Sequence, residues 1–193
     1  RALRAAEAGA GAVITAAASA ITQPGMNTGS EGVSNVHMNA LRKRLLDTLL
    51  AHDTGQADLI FNEAFVLYTP EDLITALIGP TLRDIGLGWE RGTIDIATEH
   101  LATHYLRQHL LMWMRTGPPP YPVAPIVLAC APGEWHEGSL LMFGALLRRR
   151  RWPIAYLGQS IPLSEVAKFV HETHPPAVVL TAITEEPALA LVE

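Results

Sequence analysis

Apolar and polar positions follow two different periods along this chain, and the change falls near residue 120. From Met38 to Leu50 leucine recurs at helical spacing, at Leu41, Leu45, Leu46, Leu49 and Leu50. Such spacing puts one apolar stripe on one side of a helix. Thr54 to Leu67 repeats the pattern with Ala57, Leu59, Ile60, Ala64 and Phe65. A third helix is announced by its start. Thr69 suits the N-cap, Pro70 the first helical position, and Glu71-Asp72 the positive helix end. This helix is predicted to run to about Trp89, with Arg91-Gly92 ending it. Thr93 is expected to cap a fourth, from Ile94 to about Met114. Four successive helices with short connections predict an antiparallel bundle over residues 35–115.

Residues 116–125 hold five prolines and read as a stiff linker. After them the period shortens. Ile126 to Ala131 is a continuous apolar run of strand length. Glu137 to Arg151 reads as a helix, Ile154 to Leu157 as a strand, Pro162 to about His174 as a helix, and Ala177 to Ala182 as a strand. Strands alternating with helices predict a parallel, doubly wound sheet of Rossmann-like (flavodoxin-type) form over residues 126–193. Such sheets usually carry about five strands, so this unit reads as incomplete at its C-terminal end. The expected class is therefore α plus α/β. Ahead of the bundle, residues 1–34 form an alanine-rich stretch and a linker. Arg1 to Gln23 could be helical, although Gly9 and Gly11 weaken it, and Pro24 to Ser34 carries three glycines and a proline.

Composition narrows the function. The net charge is −5, so the chain does not read as a nucleic-acid-binding surface, and any DNA contact would lie in a domain outside it. Cys130 is the single cysteine. That excludes a disulfide framework, fits a reducing cytoplasm, and leaves metal ligation to histidine and carboxylate. No apolar run approaches the roughly 20 residues of a membrane span.

Four places could carry chemistry. In Gly133-Glu134-Trp135-His136 a carboxylate stands two residues before a histidine, just past the first strand. Open α/β sheets bind ligands at that edge. A metal-bound imidazole usually gives its second N–H to a carboxylate, and Glu134 is placed to receive it. The simpler reading of His136 by spacing alone is an exposed loop histidine. Trp89 and Glu99-His100 flank the turn between the third and fourth helices, where they could form a lid, or else a core tryptophan and a surface pair. His100 and His104 share a helix face at a spacing that suits zinc, but no third ligand is evident. Arg148 to Arg151 end a helix, where a solvated cationic end is favoured over a phosphate contact.

Taken together, Trp89, the nine residues that follow it, Glu99-His100 and Gly133-Glu134-x-His136 resemble the cobalamin-binding part of light-dependent regulators of the CarH type, whose DNA-binding domain is of the MerR class. Leu147-Arg148-Arg149-Arg150 and Tyr156-Leu157-Gly158 extend the likeness, which covers about Asn39 to the end. The resemblance implies that His136 is the lower axial ligand of cobalt and that Glu134 orients it. It implies that Trp89 covers the upper face, that Glu99 and His100 line that pocket, and that Thr181 lies along the nucleotide tail. It implies cobalamin, with adenosylcobalamin favoured over methylcobalamin, and a homo-oligomer, a dimer or tetramer that light dissociates. It implies a cytoplasmic, non-enzymatic sensor. The enzymatic alternative is a corrinoid carrier of a methyltransferase system. The sequence departs from the regulators at Glu90, where they place the histidine that captures cobalt after photolysis, and at Ser139, where the corrinoid motif has glycine. Glu90 keeps open a photoreceptor that combines cobalamin with a bilin.

Overall fold

The structure is a computed structural model that describes residues 31–190. The alanine-rich stretch and residues 24–30 of the linker lie outside the described residues. Two compact units are present, and the chain passes from one to the other at residues 112–113.

The first unit is helical: α1 (Glu31–Leu50), α2 (Thr54–Leu67), α3 (residues 70–90) and α4 (Ile96–Arg115). Helix α1 begins ahead of the predicted Met38 and takes in the last four residues read as linker. No proline lies between Glu31 and Met38, so nothing breaks the helix there. The core is built from Leu41, Leu45 and Leu49 of α1, Ile60, Phe61 and Ala64 of α2, and Leu106 and Leu110 of α4. Each buried leucine contributes about 1.5–3 kcal/mol relative to exposure. Leu59 shares the predicted stripe but is exposed, because the buried face of α2 is set by Ala57, Ile60, Phe61 and Ala64.

Helix α3 opens with a capping box. Thr69 Oγ1 accepts from the Asp72 N–H, and the Asp72 carboxylate accepts from the Thr69 N–H. It then widens into a π-helical stretch, Leu73–Ile78, before returning to α-helix over Gly79–Glu90. Pro80 accounts for the widening. In a regular helix its ring would meet the carbonyl four residues back, and it has no N–H to give. The wide turn precedes it and buries Leu73, Ile74, Leu77 and Ile78 completely.

The turn into α4 closes α3 with a Schellman motif. The Thr93 N–H donates to Gly88 O at 2.9 Å and the Gly92 N–H to Trp89 O at 2.9 Å, with Gly92 at φ +70°. Thr93 is therefore not the cap of α4. Its hydroxyl also turns back to Gly88 O. Asp95 takes the role, accepting from the N–H groups of Ala97 and Thr98 at 3.0 Å each. A carboxylate outcompetes a hydroxyl here because two orphan donors point at it.

The second unit holds β1 (Ile126–Cys130), α5 (Gly138–Arg149), β2 (Ile154–Gly158), α6 (Leu163–Thr173), β3 (Val178–Thr181) and α7 (Glu185–Ala190). The three strands are parallel in the order β2-β1-β3. The central β1 is buried throughout, as its unbroken apolar run requires. Ile126, Leu128 and Cys130 pack with Leu140 and are flanked by Leu147, Ile154, Tyr156 and Val179. Gly144 lets α5 approach the sheet: a Cβ there would come within 2.9 Å of Leu128 Cδ1 and 2.5 Å of Met114 Sδ. Helix α7 had no counterpart in the sequence reading. Among the described residues no helix is long and apolar enough to cross a membrane.

Candidate functional site

At the carboxyl end of β1 the chain turns through residues 131–137, with Gly133 at φ +77°. Two neighbouring loops hold this turn. The Gly133 N–H donates to Ser160 Oγ at 3.0 Å, the Ser160 N–H to Glu134 O at 3.0 Å, and the Gln159 amide to Trp135 O at 2.7 Å. From the other side, the Ala131 N–H donates to Thr181 O at 2.9 Å.

Glu134 is completely buried at the centre of this arrangement. Its Oε1 accepts from the His136 N–H at 2.8 Å and from His136 Nδ1 at 2.7 Å. Its Oε2 accepts from the N–H groups of Ile183 and Thr184 at 2.6 and 3.0 Å, and from Thr184 Oγ1 at 3.1 Å. Burial alone would raise its pKa. The donors of Thr184, His136 and Ile183 outweigh that and hold the carboxyl down at about 2.

His136 receives the consequence. A carboxylate can only accept, so Nδ1 carries a ring proton, and in the neutral imidazole the lone pair lies on Nε2. The side chain is 63% exposed, so that lone pair is open to a ligand. Trp135 and Ile183 are also exposed at this edge. The site lies where the connections from β1 and β3 diverge, the position at which doubly wound sheets bind ligands. Thr181, at the end of β3, directs its hydroxyl to Cys130 Sγ at 3.5 Å.

The helical unit carries a second pair of the same kind. His100 Nδ1 bonds to Glu99 Oε2, and Thr103 Oγ1 donates to Glu99 Oε1 at 2.8 Å. His100 is largely exposed, and His104 lies one turn on, with ring centroids 6.5 Å apart. Among the described residues no cluster of three or more histidine, cysteine or acidic side chains could hold a metal, so the zinc reading of this pair finds no third ligand. Trp89 stands half exposed in the last turn of α3, across the 91–95 turn from this pair.

Ile183, Thr184 and Ser160 did not stand out in the sequence. Thr184 had a usable signal, a threonine before Glu185-Glu186, which is a helix-start pattern. Ile183 acts through its backbone and left none.

Residues 41–111, which fall within α1–α4, match the B12 binding domain family. The HTH-type transcriptional repressor CarH of Myxococcus xanthus is 28% identical over 158 residues, covering 79% of this chain and 50% of the repressor. The HTH-type transcriptional repressor CarA of the same organism is 28% identical over 144 residues, 74% of this chain and 48% of that protein. The chain spans about half the length of the curated relatives it matches. Among solved structures, the monomethylamine corrinoid protein of Methanosarcina barkeri shares its fold, with a TM-score of 0.59 at 16% identity, covering 79% of this chain and 74% of that one.

Proposed function

We propose that this chain is a cobalamin-binding sensor module of a light-responsive, cytoplasmic transcriptional regulator of the CarH type. The observation that carries the proposal is the buried Glu134 carboxylate, which bonds Nδ1 of the largely exposed His136 and so leaves Nε2 as the nitrogen a metal could take. That donor set fits a corrinoid cobalt: one imidazole, oriented by a carboxylate on its other nitrogen. Bound cobalamin would supply a light-sensitive cobalt–carbon bond, of adenosylcobalamin in preference to methylcobalamin.

His136 would hold cobalt through Nε2, and Glu134 would keep the imidazole from rotating. The exposed ring of Trp135 and the side chain of Ile183 offer apolar surface for a macrocycle. Thr181 would stand along the nucleotide tail. In the helical unit Trp89, Glu99 and His100 would face the upper ligand. The Glu99 carboxylate, bonded to His100 Nδ1 and Thr103, keeps that second imidazole in one tautomer. DNA contact would come from residues outside this chain, and signalling through a change in a dimer or tetramer. The similarity to the CarH and CarA repressors supports a regulator rather than an enzyme.

The test is reconstitution with adenosylcobalamin in the dark, with spectra taken before and after green light. Retention of cobalamin with a histidine-ligated spectrum, lost in His136→Ala, and a change on illumination are expected. Failure to retain cobalamin overturns the whole reading. Retention without a light response leaves the corrinoid carrier of a methyltransferase system, and a bilin spectrum in the purified protein would point to a two-chromophore receptor.

A further inference from the structure

The segment 116–125 bonds to the end of α5. Arg148 Nη1 donates to Pro118 O, and Arg151 Nε donates to Pro119 O at 2.9 Å. The Arg151 guanidinium also lies over the Tyr121 ring, 4.7 Å from its centroid, and Tyr121 packs edge-on to Trp152 at 6.2 Å. The backbone closes the arrangement, with the Tyr121 N–H donating to Arg151 O at 2.8 Å and the Ile126 N–H to Pro153 O at 2.9 Å.

Each of these contacts has a physical reason. Three successive prolines, Pro118 to Pro120, have no N–H to pair with a neighbour, yet their carbonyls still need donors. A guanidinium supplies several donors in a fixed plane and stacks on aromatic rings, and charged donors make the stronger bonds. An aromatic ring beside donors aimed at proline carbonyls is how proline-rich segments are read between proteins.

The end of α5 adds an independent sign. The Trp152 N–H donates to Leu147 O at 3.1 Å and the Arg151 N–H to Arg148 O at 3.0 Å, a Schellman motif. The residue in the left-handed position is usually glycine, but here it is Arg151, at φ +68°. A Cβ is disfavoured there. The side chain that glycine would lack is the one holding Pro119 O and covering Tyr121.

We propose that residues 116–125 are a strap folded onto the α/β unit, with Arg148 and Arg151 as its clasp. Arg148 and Arg151 of the arginine run then serve the strap and not a phosphate. The connection between α4 and β1 is held at its middle, so it does not swing as a free linker.

Amide exchange in the full chain, measured by NMR without cobalamin, tests this. Arg148→Gln with Arg151→Asn replaces both guanidiniums by shorter, uncharged amides, and asparagine tolerates the left-handed backbone. The Tyr121 and Val123 amides are expected to exchange about tenfold faster in this double variant, while Val127 and Ala131 of the sheet stay as in the wild type. Arg150→Ala, which removes one positive charge next to Arg151, is expected to change neither. Three outcomes overturn the proposal: exchange at Tyr121 within twofold of wild type, an equal rise across β1, or faster Tyr121 exchange when inorganic phosphate is added to the wild type.

Discussion

Thr184 gives both its N–H and its hydroxyl to the Glu134 carboxylate, at 3.0 and 3.1 Å, across 50 residues of sequence. The same carboxylate holds His136, so one buried group orients the imidazole and anchors the start of α7. Glu134→Gln replaces an acceptor by an amide whose NH2 must face one of these donors. The expected cost is about 2–4 kcal/mol in urea unfolding. If the proposed ligation holds, cobalamin affinity falls about 10- to 100-fold, measured by equilibrium dialysis.

Two titrations should shape stability in acid. Burial against Phe61, whose ring stacks on His109 at 4.0 Å, pushes that imidazole below its ordinary 6.5, an effect that nearby Asp58 partly offsets. The unfolded chain therefore takes up this proton first, and stability is lost as pH falls below 6.5 towards the lowered folded value. Glu134, held at about 2 against an ordinary 4.5, adds a second window. Its contribution is present above 4.5 and is lost as pH falls from there towards about 2, roughly 3 kcal/mol in all. Urea unfolding across this range should show both slopes in the wild type, and Glu134→Gln should flatten only the lower one.

The cap of α4 can be decided by two substitutions. Asp95→Ala removes the acceptor of two backbone N–H groups and of the Thr98 hydroxyl, which in turn meets His52 Nε2 at 2.7 Å. Thr93→Ala removes one of three donors to Gly88 O. The melting temperature should fall several-fold further for Asp95→Ala. An equal fall would return Thr93 to the capping role.

Gly144→Val tests the contact of α5 with the sheet. A helix gains about 1 kcal/mol when glycine becomes alanine, which would mask a small clash. Valine adds two methyl groups beyond a Cβ that already meets Leu128 at 2.9 Å and Met114 at 2.5 Å. Overpacking should then win, with a net loss of about 2 kcal/mol in chemical denaturation.

The sequence showed the elements well where a physical signal was local and strong. The leucine stripe of α1, the Thr69-Pro70 start and the apolar run of β1 each produced the expected element. Thr93, expected to cap α4, suits a cap by residue type, and only the Schellman closure on Gly88 turns it the other way and leaves the cap to Asp95. Half of the Glu134 site was legible, since Glu134 and His136 are two residues apart. The other half comes from Ile183 and Thr184, which follow β3 and come in because the sheet order sets that strand beside β1. No pattern of spacing records such a meeting.

The π-helical turn of α3 sets an angle as well as relieving a proline. Each residue of an α-helix advances the chain by about 100°, so one residue more or less in the 73–78 stretch rotates everything after it by that amount. Thr81 and Ile85 would leave the core, and Trp89 would face another quadrant of the helix. The aim of the tryptophan is thus a matter of phase, decided eleven residues and more upstream by a turn that never touches it.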